Sequence, residues 1–174
     1  MAQTGVPFGE VSVVRQWLEI ETPIEKPAVE HPKKPVSGFA CTRSEVSGRR
    51  LWGWARSRFG RPEHFFNRFF VANYCPLLFM ESGGRNRTPD RLRADEKRAL
   101  FAACDRALLQ TVKLLKPRFV LGIGNFARDR ALAALGKADL TIGGITHPSP
   151  ANPKANRGWE KLITAELATA GVQL

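Results

Sequence analysis

A histidine that precedes two prolines is the residue of this chain whose surroundings best suit chemistry. The stretch HPSPANPKANRGWE, residues 147–160, places His147 directly before Pro148, and Pro150 follows. Since a residue that precedes proline is kept out of the α region, His147 is predicted to be held extended. A fixed neutral imidazole can donate one hydrogen bond to an oxygen that gains negative charge as a bond breaks. The alternative is a surface histidine beside a structural proline turn.

Two further side chains suit recognition of a flat polar ring. Asn73, in VANYCPLLF (71–79), offers one acceptor and one pair of donors, which match an amide–imide edge such as that of uracil. The alternative for Asn73 is that it caps a strand or ties down the following turn. Phe8 lies between Pro7 and Gly9, where a backbone bend would present its ring as a stacking platform. The alternative for Phe8 is a core phenylalanine.

The charge of the chain predicts a polyanionic partner. Lys and Arg number 27 against 16 Asp and Glu, for a net charge of +11. Nucleic acid is the first candidate, an anionic membrane surface the second, and a generically basic protein the alternative to both. Basic residues accompany aromatic ones, which suits phosphate contact with base stacking, although a charged run on a helix is usually a solvated face. The clusters contain Arg85, Arg87, Arg91, Arg93, Lys97 and Arg98, then Arg49, Arg50, Arg56, Arg58 and Arg61 with Trp52, Trp54 and Phe59, and lastly Lys154 and Arg157.

Several classes of protein are disfavoured by composition. Three cysteines without paired spacing argue for a reducing compartment and against a disulfide framework: Cys41, Cys75 and Cys104. The three histidines are far apart in sequence with no Cys-x-x-Cys beside them, so no metal site is expected. No apolar run approaches the roughly 18 residues of a membrane span, and no membrane partner is expected.

The pattern of elements predicts one α/β domain over residues 1–174 with a parallel sheet. Prolines make residues 22–48 an extended surface loop, which interspersed apolar residues such as Val29 should hold down. Helices are predicted at about 10–20, 48–59, 94–115, 125–135 and 156–171, with a short one from Pro62, and strands at 69–73, 118–124 and 139–146. Because ligands bind at the carboxyl ends of parallel strands, Asn73 and His147 are expected to meet around one ring.

A glycine motif supports a competing hypothesis. LGIGNFA, with Gly122, Gly124 and Ala127, follows a predicted strand and opens a helix, as the dinucleotide fingerprint does. Asp139, the acid at the start of the next predicted strand, comes only about fifteen residues later, instead of the usual twenty or so. Glycines at such turns also serve packing alone. A nucleotide-cofactor-binding α/β protein is therefore an alternative, and it predicts that NAD raises the melting temperature.

Taken together, these stretches resemble the single-strand-selective monofunctional uracil-DNA glycosylases, a family of the uracil-DNA glycosylase superfamily. The matching pieces occur in the family's order along nearly the whole chain: MAQTGVPFGEV (1–11), HPKKPVSG (31–38), SEVSGRRLWGW (44–54), VANYCPLLF (71–79), SGGRNRTP (82–89) and HPSPANPKANRGWE (147–160). The resemblance implies a three-layer α/β/α sandwich with a short parallel sheet. It also implies a base-excision repair enzyme that flips uracil, or an oxidised 5-methyl uracil, out of single- or double-stranded DNA.

The resemblance also implies roles for individual residues. Phe8 would stack on the flipped base, Asn73 would read its edge, and His147 would stabilise the charge on the departing uracil. The residues implied to contact DNA are Ser149, Pro150, Ala151, Asn152, Lys154, Asn156 and Arg157, with Arg85. Water, without a cofactor, would hydrolyse the N-glycosidic bond and leave an abasic site, because no lysine stands at the predicted site to form a Schiff base. We expect a monomer, in the bacterial cytoplasm or the eukaryotic nucleus.

Two departures from the family pattern qualify these expectations. The family opens its active-site loop with a Gly-Met-Asn-Pro-Gly-Pro-Phe-Gly run whose asparagine positions water, and this chain begins at the methionine that follows it. We expect either a longer natural protein or a sheet that lacks its first strand, which makes a weakly active or non-catalytic DNA-binding relative the alternative function. The family often has arginine where Ala151 stands. A methyl group fills the vacated base stack poorly, so single strands or mismatched sites should be preferred.

Overall fold

The computed structural model describes residues 3–136 and 139–174, and the chain divides into two compact units. The first unit comprises the chain up to Arg87 together with Pro148–Pro150. The second comprises Thr88–His147 and Ala151–Leu174. The assignment of residues 1–174 to a single domain stays a prediction.

The first unit is mainly helical. Its helices are α1 (Val11–Gln16), α2 (Val46–Phe59) and α3 (Pro62–Phe66), with a 3-10 turn at Gly38–Ala40 and an antiparallel hairpin of β1 (Phe79–Met80) and β2 (Asn86–Arg87). Carboxylates begin two of these helices. Glu10 accepts a hydrogen bond from the Val13 amide, and Glu45 accepts from the Ser47 and Gly48 amides. Each cap satisfies amides that the first helical turn leaves without a partner. The three helices lie where the sequence predicted them, although α1 ends earlier.

Aromatic side chains form the core of the first unit. Trp52 and Phe65, from α2 and α3, meet edge to face with ring centroids 5.7 Å apart. Trp17 follows α1 and packs against both rings, at 6.2 and 6.4 Å. Such edge-to-face contacts add about 0.5–1.5 kcal/mol each to the burial of the rings themselves. The tryptophans of this unit are therefore core residues as well as neighbours of the basic clusters.

The proline-rich loop is held down by polar contacts. The Gln3 carboxamide oxygen accepts hydrogen bonds from the Ser37 and Gly38 amides at 2.7 and 3.0 Å, and its nitrogen donates to the Pro35 carbonyl. The expectation that Val29 would pack down was wrong, since its side chain is 87% exposed. One glutamine here satisfies backbone groups that proline-rich segments cannot pair in a helix or strand.

The strand predicted at residues 69–73 is absent. These residues form no strand, and Phe70 is 65% exposed, so the prediction of a buried strand was wrong. Aromatic and β-branched residues favour a strand only where a neighbouring strand completes the hydrogen-bonded ladder. No strand of the described residues pairs with this segment.

The second unit has the α/β pattern that the sequence predicted. It contains α4 (Ala94–Leu115), β3 (Phe119–Ile123), α5 (Asn125–Leu135), β4 (Thr141–Ile145) and α6 (Trp159–Thr169), with 3-10 turns at Pro89–Arg91 and Ala155–Arg157. β3 and β4 are parallel, and their register runs from Phe119 opposite Thr141 to Ile123 opposite Ile145. The α/β class and the short parallel sheet are thus confirmed.

Glycines allow α5 to lie close against this strand pair. A Cβ on Gly122 would come within 2.0 Å of the Arg128 amide nitrogen, so only glycine permits the observed approach of α5 to β3. On β4, a Cβ at Gly144 would meet the Arg128 side chain at 2.9 Å. Because β3 and β4 are parallel, their carboxyl ends and the residues that follow them lie at the same end of the pair.

Within the described residues, the structure contains no helix with the length and apolar character needed to cross a membrane.

Candidate functional site

His147 lies just beyond the end of β4, beside the end of β3. Gly124 follows β3, and its amide donates a hydrogen bond to the Ile145 carbonyl at 2.8 Å. A Cβ on Gly124 would lie 3.2 Å from the His147 Cβ and 3.5 Å from its Cδ2. The missing side chain of Gly124, whose φ is +91°, therefore leaves room for the imidazole. Both glycines of LGIGNFA have packing roles, with α5 for Gly122 and with His147 for Gly124.

The residue before His147 is bound through all of its polar atoms. The Thr146 amide and hydroxyl donate to the two carboxylate oxygens of Glu166, each at 2.7 Å. The Trp159 indole donates to the Thr146 carbonyl at 2.8 Å, and Trp159 is only 2% exposed. Both partners come from α6, so this helix fixes the backbone from which His147 projects.

Glu166 and Trp159 were not among the site residues predicted from the sequence. A signal for Glu166 is present in the helical spacing. It lies three residues after Ile163 and one before Leu167, and both of these are buried. A carboxylate among buried positions of an amphipathic helix calls for a polar partner. The sequence alone does not name that partner, which lies twenty residues away.

The loop after His147 is stabilised by Asn152. Its side-chain nitrogen donates to the His147 carbonyl at 3.4 Å, and its side-chain oxygen accepts from the Lys154 amide at 3.1 Å. The backbone carbonyl of Asn152 also accepts from the Ala155 amide. Asn152 was predicted to contact DNA, and in this structure its amide shapes the loop.

Other residues of the loop present their side chains to solvent. Ala155 is buried and anchors the 3-10 turn, whereas exposed side chains surround it: Ala151, Lys154, Asn156 and Arg157. Two cations in this short exposed stretch form an electropositive surface. Such a surface suits phosphate contacts.

The residues Pro148–Pro150 belong to the first unit, where an arginine holds them. Pro148 is fully buried, and its carbonyl accepts a hydrogen bond from the Arg50 guanidinium at 2.9 Å. Ser149 is half-buried and Pro150 is exposed. Arg50 was grouped with phosphate-contacting residues, but at least one of its nitrogens has this structural partner.

Phe8 occupies a tight bend against α2. Its φ is +51°, which is unusual for a residue with a side chain, and its ring is half-buried. The Phe8 carbonyl accepts from the Trp52 indole at 3.2 Å and from the Glu10 amide at 2.8 Å. A Cβ at Gly48 would lie 1.9 Å from this carbonyl oxygen, so the glycine admits the bend. The backbone around Phe8 is therefore fixed.

The remaining predicted site residues lie in the first unit. Asn73 is half-buried in the segment without regular secondary structure that precedes β1. Arg85 is 76% exposed and forms two hydrogen bonds with the Glu81 carboxylate, at 3.0 and 3.1 Å. That ion pair offsets part of the charge that Arg85 would offer to a phosphate. The joint action of Asn73 and His147 on one ring stays a prediction.

Metal ligands are not grouped in the described ranges 3–136 and 139–174. No cluster of three or more His, Cys, Asp or Glu side chains there could hold a metal ion. The three cysteines are free thiols.

Comparison with known proteins gives a consistent result. A model of the uracil DNA glycosylase superfamily matches residues 1–168. A Bos taurus protein named "Single-strand selective monofunctional uracil DNA glycosylase" is 49% identical, over 99% of this chain and 64% of its own length. Proteins of the same name from Mus musculus and Rattus norvegicus are each 48% identical, over 99% of this chain and 62% and 63% of their own lengths. The chain thus spans less than two thirds of the curated relatives it matches.

Proposed function

This chain belongs to the uracil DNA glycosylase superfamily, and on that basis we propose that it excises uracil from DNA as a monofunctional glycosylase. The named relatives are single-strand selective, and we propose the same preference here. In the reaction, water oxygen bonds to the sugar carbon C1′ as the bond from C1′ to the base nitrogen breaks. The electron pair leaves with uracil, and a proton of the water restores neutral products. An abasic site remains.

The fixed position of His147 is the observation that supports this proposal most. The departing uracil carries negative charge on its ring oxygens, and a hydrogen-bond donor already in place stabilises that charge without reorganisation. Burial of Pro148 and the contacts of Thr146 with α6 hold the backbone on both sides of the histidine. A histidine in an ordinary surface turn would require neither the buried proline after it nor the contacts of Thr146 with α6.

Phe8 and Asn73 are proposed to bind the extruded base. An extruded base needs a stacking surface and a partner for its polar edge. A phenylalanine in a bend fixed against α2 supports the first role. The asparagine amide supports the second, since its donor and acceptor match uracil and mismatch cytosine. The mammalian origin of the named relatives favours a nuclear location.

The deciding experiment uses a labelled single-stranded oligonucleotide with one uracil, followed by hot alkali. A strand break at the uracil position is the expected result, and the same oligonucleotide with thymine is the control. Binding without a break would favour the non-catalytic DNA-binding relative. Stabilisation by NAD, with neither binding nor a break, would favour a nucleotide-binding protein, although Gly122 and Gly124 have the packing roles described above.

Asn73→Ala should lose base discrimination and rate together. Alanine removes the only groups at this position that can tell uracil from cytosine, and each lost hydrogen bond to the buried base should cost about 0.5–1.5 kcal/mol. Single-turnover rates on uracil and cytosine oligonucleotides would measure this, with Asn67→Ala, at the end of α3, as a control. Unchanged selectivity in Asn73→Ala would contradict the assigned role.

Lys154→Ala and Arg157→Ala should each weaken DNA binding at all sequences and reduce the slope of log affinity against log salt by about 1. A variant that lacks one phosphate contact releases about one counterion fewer when it binds DNA. Fluorescence anisotropy at several salt concentrations measures both effects. Lys113→Ala is the matched control, since this exposed lysine lies near the end of α4, before β3 begins and thus at the opposite end of the strand from Gly124. An equal slope change in the control would contradict a local DNA contact.

A further inference from the structure

We propose that Glu166 is a positioning residue for His147, an inference that rests on the proposed function. The Glu166 carboxylate binds the residue that precedes this histidine. It acts through Thr146, whose amide and hydroxyl donate to its two carboxylate oxygens at 2.7 Å. The structure thereby assigns α6 a part in the placement of the imidazole.

The contacts of Thr146 determine where the next residue points. The Thr146 carbonyl shares a peptide plane with the His147 amide, and the Trp159 indole holds that carbonyl at 2.8 Å. Hydrogen bonds to a carboxylate are about twice as strong as those between neutral groups. Glu166 therefore holds the amide and the side chain of Thr146, and Trp159 holds the peptide plane that joins Thr146 to His147.

Contacts on the other sides of His147 limit its movement. The missing side chain of Gly124 leaves space for His147 beside the end of β3. Asn152 donates to the His147 carbonyl on the side of the loop. With Thr146 held by α6, the backbone next to the histidine is hydrogen-bonded on both sides.

Apolar side chains hold α6 in place alongside this carboxylate. Ile163 and Leu167 on the same helix are 1% and 2% exposed, and burial of such side chains already contributes about 1.5–3 kcal/mol each. A half-buried carboxylate costs desolvation that an apolar residue would avoid. A role in positioning the loop explains why this carboxylate makes two short hydrogen bonds to one loop residue.

The test compares Glu166→Met with Glu160→Met, an exposed carboxylate on the same helix. Methionine has a similar length but leaves the Thr146 amide and hydroxyl without an acceptor. We expect Glu166→Met to lower kcat about 10- to 100-fold with little change in KM, because small misplacements of a reacting group carry such costs. Glu160→Met should leave kcat unchanged. Glu166→Gln, which keeps an acceptor for the Thr146 amide, should recover most of the rate.

A spectroscopic readout makes the proposal independent of activity. In protein labelled with 13C and 15N at histidine, the His147 imidazole signals, identified by their absence in His147→Ala, should shift in Glu166→Met. They should not shift in Glu160→Met, and the His31 and His64 signals should stay in place in both. Thr146→Val is the second variant if Glu166→Met fails to fold, since it removes only the hydroxyl contact and should shift the same signals less.

The outcomes separate this inference from the proposed function. Unmoved His147 signals in Glu166→Met or Thr146→Val would overturn the positioning role, whether or not the chain is active. A lower melting temperature with unmoved signals would do the same, because it would mean a purely structural contact. Shifted signals in a chain that releases no uracil would support the positioning and reject the glycosylase function.

Discussion

Replacing His147 with alanine should lower the rate of uracil release by about 100- to 1000-fold, as the loss of one preorganised oxyanion donor does. The charge on the departing base develops only as the bond breaks, so the missing hydrogen bond should affect kcat far more than DNA binding. Single-turnover release from a single-stranded uracil oligonucleotide, with binding measured on an uncleavable analogue, separates the two effects.

The matched control for this variant is His64→Ala. His64 is exposed in α3, where one of its ring nitrogens lies 3.1 Å from the Phe59 carbonyl. Its replacement should leave the rate of uracil release unchanged. Full activity in His147→Ala would mean that another group stabilises the departing uracil and that the assignment of His147 is wrong.

Replacing Gly122 with alanine should destabilise the chain by about 3 kcal/mol, at the upper end of the usual cost of overpacking. The new Cβ would meet the Arg128 nitrogen at 2.0 Å, the Arg128 Cα at 2.4 Å and the Ala127 carbonyl carbon at 2.5 Å. All three are backbone atoms, which cannot rotate away, so α5 must move off β3. Urea denaturation followed by circular dichroism measures the loss.

Gly143→Ala is the control on the neighbouring strand. Its Cβ would approach only the Leu121 Cδ2, at 3.0 Å, which is the flexible end of a side chain. The free energy of unfolding should therefore change by less than about 1 kcal/mol, within the usual range for a tolerated substitution. Equal stability of the two variants would show that α5 is free to shift and that Gly122 has no special packing role.

Local patterns predicted most of the secondary structure. α2, α3, α4, α5 and the pair β3 and β4 lie within a few residues of their expected positions, because apolar spacing and prolines act over one or two helical turns. The strand prediction for residues 69–73 was wrong because a strand depends on residues outside the segment. Its composition favours a strand, but pairing depends on a neighbouring strand that composition does not supply.

Only part of the candidate site could be predicted from local sequence patterns. His147 could be predicted from the two prolines that follow it, and the exposed cations of the same loop from their charge. The glycine motif suggested a cofactor because its spacing fits a phosphate loop, whereas Gly122 admits α5 and Gly124 admits the imidazole. The spacing of the glycines indicates that another group lies close to the backbone, but it does not identify that group.

By itself, the sequence determined the local features of this protein: an excess of positive charge, the α/β order of the second unit, and a histidine directly before Pro148. Those features depend on neighbours within a few residues, where backbone sterics and side-chain periodicity decide the outcome. Only the tertiary structure decided that Glu166 and Trp159 hold Thr146, and that Gly124 makes room for His147. These contacts join residues 13 to 23 positions apart, and folding of the chain, not its local conformation, brings such residues together.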